Sequence, residues 1–216
     1  MPNRFQTLES PAIPNIPSPR AEYDPKLIHG TNSIFRNFFI RITESLRALF
    51  GHYGGQYVDM PLSLFFSTTQ QSIATINTAQ TIEFETTYLS HGISIVDDTK
   101  VVVTYPGVYT FQTTMQLAST SSNTKHAFFW IRRNGVDIQY STKPTTISGS
   151  DAKSDVMWSF NIDLDAQEYI EMIWAVDDVT VVMYSTTPTS PHVGVPSAVC
   201  SVTYAGPMVD PRPTPP

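Results

Sequence analysis

Cysteine is almost missing from this chain. Cys200 stands alone, which excludes any internal disulfide and leaves stability to core and oligomer contacts. Its setting, Ala198-Val199-Cys200-Ser201-Val202, marks a small buried strand residue rather than a reactive thiol. Charge is scarce as well: 15% of residues are charged, where about a quarter is usual. Ser, Thr, Asn and Gln fill the gap, the mix expected of a polar β surface that lies beside other protein. No apolar run reaches membrane-spanning length, and Met1-Pro2-Asn3-Arg4-Phe5-Gln6-Thr7-Leu8-Glu9 has no apolar core of the length a secretory signal needs. The expectation is a protein made in a cytoplasm, with no membrane insertion. Catalytic patterns are absent too. There is no Gly-x-Ser-x-Gly, HExxH or P-loop, and the histidines (His29, His52, His91, His126, His192) stand apart, so no enzymatic activity is expected.

The charge that exists is unevenly placed. The chain carries a net −6; residues 1–52 hold six basic residues against four acids, net +2, so the remainder carries −8. An acidic region lacks the clustered cations that phosphate binding needs, which argues against nucleic acid as a partner.

Proline is plentiful only at the ends. Six prolines within residues 2–25 forbid helix and disfavour sheet, so 1–29 reads as an extended arm. It is either a disordered tail or an anchor that becomes ordered along another protein through Phe5, Leu8, Ile13, Ile16 and Tyr23. Over 30–51 the period changes to that of a helix. Thr31, Asn32 and Ser33 offer N-cap oxygens and Gly51 the C′ position. Phe35, Phe39, Ile42, Leu46 and Leu49 recur at intervals of four, three, four and three, an a/d seam of about two heptads, with Ile34, Phe38 and Phe50 widening the stripe. A lone helix cannot bury that surface by itself. It packs on its own β domain or on copies of itself, and the linker-like His52-Tyr53-Gly54-Gly55-Gln56-Tyr57 favours the copies. Residues 52–69 are read as this linker plus a first strand, and 206–216 as a Pro-rich tail.

From about 70 to 205 the pattern is all-β. The stretch Val101 to Leu117 reads as two β-rich runs forming a hairpin around Pro106-Gly107. In the second run Tyr109, Phe111, Met115 and Leu117 alternate with Thr110, Gln112, Thr114 and Gln116. In 156–164, Trp158, Phe160, Ile162 and Leu164 alternate with Ser159, Asn161 and Asp163; these eight apolar residues are the expected head core. Other candidate strands are 62–67, 72–76, 80–86, 92–97, 126–133, 136–141, 168–176, 179–185 and 198–204. Asn134-Gly135 is the strongest hairpin signal, because both central positions of a type I′ turn need φ > 0. Many strands without intervening helices give a β-sandwich of jelly-roll type.

Three motifs in order carry a resemblance: Pro106-Gly107-Val108-Tyr109-Thr110-Phe111, then Ala127-Phe128-Phe129-Trp130-Ile131-Arg132-Arg133-Asn134-Gly135, then Trp158 through Met172 with its turn at Asp165-Ala166-Gln167-Glu168. Over roughly 70–204 the chain resembles the globular heads of the complement and tumour-necrosis-factor superfamily, with Gln167 where that family has glycine. The resemblance implies a ten-stranded jelly roll forming a homotrimer with its aromatic-rich inner strands about the threefold axis. It is also similar to tailed-phage structural proteins that join such a head to a Pro-rich arm and a Phe/Leu-rich helix. The expectation is a structural virion protein assembled in the bacterial cytoplasm: a trimeric surface appendage or decoration protein whose arm and helix hold a capsid or tail protein. The alternative is a tail-fibre receptor-binding module that contacts a host surface glycan. No cofactor is expected. Ca²⁺ is a further option at the acidic turns Asp97-Asp98, Asp177-Asp178 and Asp163/Asp165/Glu168, which otherwise read as turn formers. The polar loops 118–126 and 141–151 are the candidate recognition surfaces.

Overall fold

Proline at the first position of a helix sacrifices no hydrogen bond, because the amide it lacks has no intrahelical partner there. Helix α1 (Pro25–Phe50) begins in this way in a computed structural model that describes residues 14–15, 25–50 and 60–208, with side chains to residue 46 in the helix. The start therefore lies five residues before the expected Gly30, which sits inside the helix. Thr31 is not a cap: its hydroxyl donates to the Leu27 carbonyl one turn back (2.8 Å). The anchor residues Phe5, Leu8, Ile13, Ile16 and Tyr23, the 52–59 linker and the tail from 209 lie outside the described residues. The chain divides into two compact units, Met1–Asp59 and Met60–Pro216.

The second unit is built from β1 (Leu62–Ser67), β2 (Gln71–Ser72), β3 (Gln80–Thr81), β4 (Thr86–His91), β5 (Ile93–Val96), β6 (Lys100–Val103), β7 (Gly107–Ser119), β8 (Lys125–Arg133), β9 (Val136–Asp137), β10 (Lys143–Ile147), β11 (Ala152–Leu164), β12 (Tyr169–Val176), β13 (Val181–Met183) and β14 (Ala198–Gly206). They form two antiparallel sheets. The first runs β11-β7-β14-β1-β4, with β13 and β2 continuing beside the far end of β7. The second runs β10-β8-β12-β6-β5, with β9 sharing the β8 edge and β3 the β12 edge. The pairs are nested in sequence. β8·β10 lies within β7·β11, that within β6·β12, and that within β1·β14, and successive pairs fall in alternate sheets.

The expected 101–117 hairpin is corrected here: β6 and β7 belong to different sheets. Pro106 cannot donate to a ladder, and the chain turns a corner between sheets instead. The Tyr109 hydroxyl donates to the Tyr105 carbonyl across that corner (2.7 Å), an arrangement like the tyrosine corner of other sandwiches. Gly107 is required there because a Cβ would stand 2.3 Å from the Tyr204 ring. Asn134-Gly135 does close a two-residue hairpin, with φ of 48° and 82° and Arg133 opposite Val136.

One core lies between the sheets. Tyr109, Phe111, Met115, Leu117 and Leu164 are buried in it, and so is Cys200, whose thiol pKa is pushed up by burial. Trp158, Phe160 and Ile162 face the same core but are only partly buried, because β11 is an edge strand with β7 as its single partner. Phe160 stacks on Phe111 (ring centroids 5.0 Å apart). Two strands went unread in the sequence. One is β4; the other is β10, which occupies much of the loop expected at 141–151.

Candidate functional site

The acidic turns are engaged by protein groups. Glu168 accepts hydrogen bonds from Arg133 Nε (3.1 Å) and Nη2, from Asn134 Nδ2 (2.8 Å) and from the Asp165 amide (2.8 Å). Burial alone would raise its pKa; these donors outweigh burial and hold the carboxyl below its ordinary value. Gln167 takes the left-handed conformation (φ 67°) at the position where the resemblance has glycine. Asp97 accepts from Lys100 (2.6 Å), Asp177 from the His126 amide (2.7 Å) and ring (2.8 Å), and Asp178 from the Thr180 amide and hydroxyl. Among the described residues no three His, Cys, Asp or Glu side chains come together as a metal-holding group. The loop after β7 is also committed. It folds over Lys125, which is 1% exposed and whose ammonium donates to the carbonyls of Ser121 and Asn123 (2.6 and 2.5 Å).

The outer face of the first sheet is different. No Lys, Arg, Asp or Glu occurs anywhere in β1, β7 or β14. In that sheet only the edge strand β11 carries such residues: Lys153, Asp155 and Asp163. β1 even reverses the usual order, burying Ser63 and Ser67 beside Phe65 while Leu62, Leu64 and Phe66 face outward. Beside them stand Val199, Ser201, Thr110, Thr114 and Gln112. The second sheet carries Lys100, Lys125, Arg132, Arg133, Asp137, Lys143 and Glu171. Depletion of charge at the centre of a patch is a compositional feature of protein interfaces. Sequence reasoning missed this face, although its signal, three charge-free strands, was available.

In α1, Phe35, Phe39 and Leu46 are exposed and Ile42 is half-buried; Phe39 is 60% exposed. The Leu49 side chain lies outside the described ones. The earlier helix start extends the seam back to Ile28, also exposed and seven residues before Phe35. No helix among the described residues is long and apolar enough to cross a membrane.

On the outer face of the second sheet lies a cleft of about 310 Å³, lined by Phe128, Trp130, Asp137, Ile138, Gln139, Tyr140 and Thr142. The alternation of β8 sends Phe129 and Ile131 inward, so Phe128 and Trp130 must face out. The run Phe128-Phe129-Trp130-Ile131, apolar on both faces, was the available signal. The bordering loop is clipped in place: Ser141 Oγ donates to the Ile138 carbonyl (2.8 Å) and accepts from the Ile131 amide (3.2 Å). At its tip Tyr140 is fully exposed, with φ of 62°. Asp137 accepts from Arg132 Nε (2.8 Å). That bond, with a smaller contribution from the Trp130 side chain, overcomes partial burial and lowers its pKa.

Comparison with family models and with curated proteins returned no match.

Proposed function

We propose that the chain is a structural protein of a tailed-phage particle, a homotrimeric surface appendage or decoration protein. Its arm and helix hold a capsid or tail protein, and its jelly-roll head, similar to those of the complement and tumour-necrosis-factor superfamily, faces outward. The charge-free outer face of β1, β7 and β14 carries this reading. A sheet face bathed in water gains solubility from charge, whereas one covered by another copy loses stability with every charge it must desolvate. The nested strand pairs that alternate between sheets support the jelly roll, in which one long antiparallel ribbon is wound into two Greek keys. The exposed seam of α1 supports a second zone of self-association.

Solution mass tests the reading. The full chain has the mass of three copies at micromolar concentration, and Thr114→Glu or Ser201→Glu, each combined with Phe39→Asp in the α1 seam, yields single chains with an unchanged β circular-dichroism spectrum. A wild-type monomer, or charged variants that stay trimeric, would remove the proposed interface. A second reading, a receptor-binding module, is favoured by the aromatic cleft beside Tyr140.

A further inference from the structure

The cleft on the second sheet combines features that a solvated surface does not need. Tyr140 keeps a whole aromatic ring in water from a left-handed backbone, a conformation uncommon for non-glycine residues and costing roughly 1–2 kcal/mol. Slack does not explain it, since Ser141 ties the loop to β8 one residue later. The half-buried Phe128 and Trp130 line the same cleft, with the polar Asp137, Gln139 and Thr142. The volume, about 310 Å³, falls at the lower end of ligand pockets, roughly 300–1,000 Å³, which suits a ring-sized unit.

We propose that this cleft binds a neutral saccharide, with the apolar face of a sugar ring stacked on Tyr140 and Trp130 and its vicinal hydroxyls donating to Asp137. Aromatic faces attract C–H edges, and a pyranose presents such a face on one side and hydroxyls at its rim. Arg132 and Asp137 are paired with each other, so the lining offers a charged ligand no unmatched counter-charge. A carboxylate has about four acceptor sites; with Arg132 Nε donating to one oxygen, capacity remains for a pair of hydroxyls. Other occupants fit less well. A peptide that adds a strand is barred from this edge of β8, which β9 and β10 already cover. Nucleic acid meets a region of net −8.

The inference rests on the receptor-binding reading and deepens it; the trimer is not required. The full-length protein is applied to an array of immobilised neutral and anionic oligosaccharides, beside Tyr140→Asn, which removes the ring but tolerates the backbone angle, and Asp137→Asn. At least one neutral glycan captures the wild type, and each variant weakens that capture roughly tenfold with an unshifted thermal midpoint. Capture that neither variant weakens refutes the cleft while leaving a receptor-binding module standing, and capture by anionic glycans alone refutes the chemical class. No capture by any glycan overturns the site and that reading together.

Discussion

Glu85 illustrates how single residues tie this head together. Its carboxylate accepts the amide and hydroxyl of Thr68 and the amide of Thr69 (3.2 Å), fastening the segment before β4 to the end of β1. Burial alone would raise its pKa. Hydrogen bonds from Ser67, its own amide and Thr68 prevail and bring it down to about 2. A carboxyl whose folded pKa is depressed contributes stability above its unfolded value and loses it as pH falls through the folded value. The wild type should therefore lose unfolding free energy between about pH 5 and pH 2, with Asp177 and Glu168, both shifted down as well, adding to the same slope. Glu85→Gln should be less stable at neutral pH and show a shallower acid slope. Urea denaturation across this range measures both, and parallel slopes for the two proteins would exclude the role.

At the scale of elements, periodicity made most strands legible, because burial of one face writes itself into alternation. The Asn134-Gly135 turn was legible for a local reason, the two positive φ angles it needs. β10 was not: Pro144 in Lys143-Pro144-Thr145-Thr146-Ile147 argues against a central strand, yet an edge tolerates proline, and β10 is an edge. The start of α1 was misread because a high density of proline hid the one position, Pro25, where proline suits a helix. Its seam has its own test. Burying a phenylalanine against a partner contributes about 1.5–3 kcal/mol, which is tenfold or more in affinity. Phe39→Asp should thus raise the dissociation constant of the assembly at least about tenfold while the head unfolds at an unchanged temperature. Analytical ultracentrifugation and calorimetry on the same sample separate the two effects.

For the whole molecule, the chain's low charge is concentrated by the fold: the first sheet has charged side chains only on β11, and the second carries them along most of its strands. Composition announced the scarcity; only the strand order shows which face it empties. The strand order itself was illegible for the same reason that the 101–117 hairpin was misjudged. Alternation says which side of a strand is buried but not which distant strand lies beside it, and β6 finds β12 while β7 finds β11 and β14. An uncharged interface has a measurable signature. Screening length falls from about 30 Å to 3 Å between 0.01 and 1 M salt, so an assembly held by ion pairs would come apart across that range. This one should hold or tighten, as light scattering at each salt concentration would record; dissociation at high salt would place charged contacts at its heart.

The nesting of strand pairs also gives the head two unlike poles. Leu62, where the chain enters the second unit, lies opposite Thr203, and Tyr204 lies opposite Tyr109, so entry to the sandwich and exit from it share one pole. Ser119, Ala152 and Val181 mark the other pole, where the loops 120–124 and 148–151, which cross from one sheet to the other, emerge. A peptide grafted into either loop is thus held at the end of the sandwich opposite to where the chain enters and leaves it.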